Sequence, residues 1–170
     1  MKLIGILIIV LSAGSVGFRI AASLKNRCRL LCQLSSALQV LKNEISFCGT
    51  PLPQAFALMA VSVQDAPERV FSSVARQMEQ RRWLTPQHAM EQALTEEPEL
   101  GRDSDAADLL IKLATGLGKY DRDSQLQTIE KIGAELEKLL QTAEQECSIR
   151  SRTYKTLGIC AGLAVGILLI

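Results

Sequence analysis

Two stretches without a charged side chain bracket this sequence, and they constrain it more than any other feature. The first, Leu3 to Phe18 (LIGILIIVLSAGSVGF), is separated only by Arg19 from Ile20, Ala21 and Ala22. The second, Thr156 to Ile170 (TLGICAGLAVGILLI), lies just beyond Tyr154 and Lys155. A helix needs roughly 20 mostly apolar residues to cross a bilayer. Each stretch is a little short by itself and is lengthened by its neighbours. The expected organisation is a transmembrane helix over 3–22, a cytoplasmic helical domain over 23–153 and a second transmembrane helix over 154–170.

The positive charges orient this arrangement. Arg19, Lys25, Arg27 and Arg29 follow the first stretch, whereas only Lys2 precedes it. Arg150, Arg152 and Lys155 stand before the second. Basic residues beside a span prefer the cytoplasm, so both flanks put the middle of the chain there and the termini across the membrane. A cleaved signal peptide is the competing reading of the first stretch, because Ser12-Ala13-Gly14-Ser15 offers small residues for a cleavage site. The charge bias runs against it. The second stretch is also short enough to be a tail that enters the bilayer only partway.

Removing the ends leaves roughly 130 residues, enough for one compact domain. A net charge of +1 gives no bulk electrostatic support for a nucleic-acid partner. Aromatic residues make up 4% of the chain, which suits a helical core of Leu, Ala and Ile. The five cysteines are odd in number and lack the dense spacing of a disulfide scaffold, so reduced thiols are expected.

Periodicity in the middle is helical throughout. Leu24, Cys28, Leu31, Leu34, Ser35, Leu38, Leu41 and Ile45 form one stripe of a long helix that ends at Gly49, a natural C-terminal cap. Thr50-Pro51, Asp65-Ala66-Pro67-Glu68 and Thr85-Pro86 each read as a helix start, with an N-cap followed by proline in the first turn. Glu96 to Ser104, broken by Pro98 and Gly101, reads as a loop. A fifth helix is expected from Asp105 to about Leu117. A last one runs from near Asp121 toward the C-terminus, with Leu126, Ile129, Gly133, Leu136, Leu140, Ala143 and Cys147 at coiled-coil-like spacing. Ile132 and Leu139 widen that stripe enough to bury it in a bundle. The predicted fold is all-α, a bundle of about six helices.

Nothing in the sequence supports an enzyme, a cofactor or a metal site. Gly116-Leu117-Gly118-Lys119 fails as a phosphate loop, because Leu113 and Tyr120 occupy positions that need glycine and Ser or Thr. It reads instead as an interhelical turn with a glycine cap. His88 is the sole histidine, which excludes a His-based triad or metal site within one chain. Cys28 and Cys32 share a helix face but lack further ligands, so they read as small core residues. Two polar clusters remain as candidate partner-binding surfaces. One is the turn carrying Lys119, Asp121, Arg122 and Asp123. The other is an acidic patch of Glu97, Glu99 and Asp103, extended by Glu91, Glu96, Asp105 and Asp108. The plainer reading of the first has Asp121 capping a helix and Arg122 pairing with it. The plainer reading of the second is a solvated face.

Two runs carry a family resemblance. They are Leu41-Lys42-Asn43-Glu44-Ile45-Ser46-Phe47 followed by Thr50-Pro51-Leu52-Pro53-Gln54-Ala55-Phe56, and Leu117-Gly118-Lys119-Tyr120-Asp121-Arg122-Asp123-Ser124-Gln125. With the apolar termini they resemble the stage III sporulation protein AB family over essentially the full length. Tyr120 stands where histidine is expected, and Gln54 where an acid is common. The resemblance implies a membrane component of the assembly linking mother cell and forespore. It also implies a soluble domain similar to those of the type II secretion inner-membrane platform proteins, which meet a cytoplasmic ATPase. The expected partners are therefore membrane lipid, a secretion-type ATPase and other sporulation channel membrane proteins. The alternative is a regulatory membrane protein that dimerises through its C-terminal helical stem.

Overall fold

The computed structural model describes the backbone of residues 2–80, 84–117 and 121–169, and the side chains of 22–80, 84–117 and 121–149. Among the described residues every element is a helix, so the fold is all-α. In chain order they are α1 (Lys2–Asn43), a π-helical turn (Glu44–Cys48), α2 (Leu52–Val61), α3 (Ala66–Gln80), α4 (Pro86–Glu96), α5 (Pro98–Gly101), α6 (Ser104–Leu117) and α7 (Arg122–Leu169).

The chain divides into two compact units. One is Leu30–Leu140; the other joins Met1–Arg29 to Gln141–Ile170. In the first, apolar residues at helical spacing converge from six of the helices. The α1 stripe supplies Leu31, Leu34, Leu38 and Leu41, α3 supplies Val70, Phe71 and Val74, and α7 supplies Ile129, Ile132 and Leu136, all buried. Phe56 of α2 and Phe71 are both fully buried, with ring centroids 6.4 Å apart. Packing is close. A void of about 10 Å³ between Leu34, Leu38, Met59, Phe71, Leu113 and Ile132 holds at most one water.

The second unit holds the two expected spans, 3–22 and 154–170, which lie outside the described side chains except for Ala22. Among the described residues no helix is long and apolar enough to cross a membrane. Within this unit Cys28 of α1 and Cys147 of α7 are both half-buried free thiols.

Several start and stop signals act as the sequence suggests. Gly49 adopts φ 62°, ψ 28° and turns its N–H back to the Glu44 carbonyl. That left-handed conformation is one glycine adopts without steric cost. Thr85 caps α4, its hydroxyl oxygen accepting from the His88 N–H. Asp65 precedes α3 with a positive φ of 63°, and its carbonyl accepts from the Arg69 N–H.

Two expectations need correction. Thr50 does not cap α2: the helix starts at Leu52 with Pro51 as its flanking residue, and no side chain caps it. The Thr50 hydroxyl donates instead to the Glu44 carboxylate (2.6 Å). The expected loop from Glu96 to Ser104 contains one turn of helix, α5, because Pro98 presets φ there and Leu100 is fully buried. Of the two glycines in the expected turn, Gly116 lies within α6 and Gly118 lies outside the described residues. A Cβ at Gly116 would stand 2.5 Å from Thr128 Cγ2, so glycine lets α6 and α7 approach.

Candidate functional site

The polar run that opens α7 gathers three helix ends. Its first member is a cap. Asp121 precedes Arg122, its carbonyl accepts from the Gln125 N–H (3.0 Å), and its carboxylate accepts from the Ser124 hydroxyl (2.7 Å). That hydroxyl holds the Asp121 carboxyl below its ordinary range, with help from the N–H groups of Asp123 and Ser124.

Arg122 does something else. Its Nε donates to the Ile45 carbonyl at 2.9 Å, and Nη2 donates to the Ser46 carbonyl. Both acceptors belong to the π-helical turn that ends α1, where carbonyls lack intrahelical partners and the helix dipole is negative. The planar fork of a guanidinium suits two adjacent carbonyls. Arg122 therefore pairs with backbone more than 70 positions away, and not with Asp121. Gln125 completes the junction, its amide donating to the Leu117 carbonyl at the end of α6 (2.7 Å).

Asp123 is exposed beside this junction, while Lys119 lies outside the described residues. Phe47, in the turn that Arg122 holds, is 84% exposed. The whole cluster ties the C-terminal ends of α1 and α6 to the start of α7.

The acidic patch is built on different elements and organised by a residue the sequence reading missed. Arg69 on α3 grips Glu97 through two bonds, Nε to Oε2 at 2.5 Å and Nη2 to Oε1 at 3.0 Å. Its Nη2 also reaches Glu99 at 3.5 Å. Glu96 accepts from Ser73 and Gln92, and Glu91 from Gln87. Asp103 accepts from the Ala106 N–H (3.4 Å) at the start of α6. Asp105 and Asp108 are exposed. Glu97 and Glu99 thus converge on Arg69, not on Arg122, and the two candidate clusters are built separately. Beside Arg69 an open groove of about 330 Å³ runs between α3 and α4, lined by Glu68, Ser72, Arg76, Ala93 and Glu96. Among the described residues no three of His, Cys, Asp and Glu converge as a metal site.

The hydrogen bonds from Arg69 hold the Glu97 carboxyl below its ordinary value of 4.5. A depressed carboxyl contributes stability above the unfolded-state value and loses it as pH falls through the folded one. The stability difference between the parent chain and Glu97→Gln should therefore be full at neutral pH and shrink steadily below about pH 4.3. Urea titrations at pH 7, 5 and 3 check this; a difference that is constant or grows toward pH 3 would rule out the Arg69–Glu97 clamp as its source.

Comparison with known proteins agrees with the all-α architecture and gives it a lineage. A family model, stage III sporulation protein AB, matches residues 2–170. The stage III sporulation protein AB of Bacillus subtilis (strain 168) is 31% identical over 170 residues, covering 99% of both chains. A solved structure of a stage III sporulation protein AB aligns with a TM-score of 0.62 at 28% identity, over 70% of this chain and 94% of that one. The chain belongs to the stage III sporulation protein AB family.

Proposed function

We propose that the protein is a non-enzymatic membrane platform of the mother cell–forespore channel, an adaptor for a cytoplasmic secretion-type ATPase. Helices over 3–22 and 154–170 enter the bilayer, and the bundle stands in the mother-cell cytoplasm. The observation that carries this reading is the partition of charge between the two units. The unit made of 1–29 and 141–170 has eight of the nineteen basic residues and two of the eighteen acidic ones. The remaining acids all fall in 30–140, giving that unit a net negative charge. A basic collar beside apolar segments suits a cytoplasmic, anionic membrane face. An acidic bundle suits a partner with a basic docking surface.

The burial of Ile129, Ile132 and Leu136 against their own chain supports this reading over a dimerising stem, since those seam positions are already occupied. Of the proposed contact residues, Asp123, Glu99, Asp105 and Asp108 are exposed, and Glu97 and Asp103 are half-buried. Lys119, Asp121 and Arg122 complete the proposed contact. Two measurements test the assignment. Protease supplied to the outer face of intact sporulating cells should leave 23–153 uncut. Asp105→Lys with Asp108→Lys should weaken capture of a secretion-type ATPase from the same cells while helicity is unchanged. Cleavage of the bundle from outside, or capture that is indifferent to the double reversal, would remove the orientation or the surface respectively.

A further inference from the structure

The outer face of α3 carries charges that its own chain leaves unanswered. Glu68, Ser72 and Arg76 follow at steps of four, so they share one side of the helix, and all three are exposed. Among the described residues neither Glu68 nor Arg76 forms an ion pair. They stand about 12 Å apart along the axis, too far to satisfy each other. The nearest other base on the helix, Arg69, is committed to Glu97.

Beside this stripe an open groove of about 340 Å³ runs between α2 and α3. Ala57, Ala60 and Ala75 line it with small side chains, so nothing bulky keeps a second helix at a distance. Val61, also in the lining, is 85% exposed. The order of charge along α3 is acid, neutral, base, centred on Ser72. Turned end for end it reads base, neutral, acid. The stripe is therefore its own electrostatic complement.

We propose that the α2–α3 face binds a second copy of this chain, α3 against α3 in antiparallel register, with Ser72 on the two-fold axis. Glu68 of each copy then meets Arg76 of the other, twice over, as an isologous contact requires. The α2 helices come alongside each other, and Val61 leaves water. Glu79 falls just past the start of the second copy's helix and stays solvated. An unrelated partner would have to bring the same two charges at the same separation, whereas a second copy has them already. α3 has 15 residues and is about 22 Å long, so the contact is small and the pairing weak. The seam on α7 takes no part, since Ile129, Ile132 and Leu136 stay buried in their own bundle.

Sedimentation of the full chain in density-matched detergent, over a concentration series, tests the pairing. The parent chain should show a monomer–dimer equilibrium that weakens with salt. Glu68→Arg and Arg76→Glu should each weaken it about tenfold or more, because each sets two like-charge pairs across the axis. An equal mixture of the two variants should recover association, since both pairs in the mixed dimer are again opposite in sign. The chain carrying both substitutions should recover it alone. Monomer at every concentration would overturn the proposal. So would a dimer indifferent to both single variants, or a loss that neither the mixture nor the double variant repairs. Ser72→Cys gives a second readout that needs no charge reversal. Under mild oxidation, mass spectrometry should find the peptide joined to its own copy at position 72, in excess over the same link for Thr95→Cys, another exposed helical site. Equal yields at the two positions would also sink the pairing.

Discussion

Gly116→Ala should destabilise the helical bundle by about 1–2 kcal/mol, although alanine is the better helix former by about 1 kcal/mol. The added Cβ would stand 2.5 Å from Thr128 Cγ2 and 3.1 Å from its Oγ1. Thr128 is poorly able to yield. Its side chain is β-branched, and its hydroxyl donates to the Ser124 carbonyl at 2.9 Å, so turning away from α6 would break that bond. The same argument supplies a rescue. Thr128→Ser removes the clashing methyl and keeps the hydroxyl, so Gly116→Ala with Thr128→Ser should regain most of the loss. Urea midpoints of the two single variants and the double variant form the cycle. Additive effects would mean that the contact between these two residues is not what requires glycine.

Arg122→Ala should cost about 1.5 kcal/mol, the low end for hydrogen bonds to a charged donor because the guanidinium is partly solvated. The variant leaves the Ile45 and Ser46 carbonyls without their donor and frees the π-helical turn at the end of α1. Arg122→Lys should recover only part of the loss, since an ammonium restores charge but cannot address two carbonyls in one plane. Proteolysis after Phe47 should quicken in the alanine variant, because that exposed residue sits in the released turn. A midpoint equal to that of the parent chain would show the clamp to be redundant with Gly49 and the Gln125 contact. A charge-reversed Arg122 variant used to probe the proposed ATPase contact consequently needs a stability control.

The fold was legible where a signal is local. Leu31, Leu34, Leu38, Leu41 and Ile45 recur at helical spacing and are all buried, because a one-sided stripe has to find cover in any bundle. Gly49 and Thr85 announce their helix ends through conformation and capping chemistry that neighbouring residues settle. The polar contacts were not legible in the same way. Whether Arg122 meets Asp121 next to it or a carbonyl across the bundle depends on where α1 ends, which no pattern near residue 122 encodes. Arg69 has acids on its own helix and in the preceding turn, yet its grip falls on Glu97, 28 positions away. The reason for glycine at 116, Thr128 on the next helix, is visible only after packing. The family signature in the α6–α7 region was read correctly as distinctive. In the structure, Asp121, Arg122, Ser124 and Gln125 each secure a helix end.

The meeting of α1 with α7 also sets a timetable for biosynthesis. Ile45 leaves the ribosome 77 positions before the arginine that will hold its carbonyl, an interval of about 4–15 s at bacterial elongation rates. Through that interval the leucines of the first helix have no final neighbours, so their apolar stripe stays open to other partners until the last helix is made.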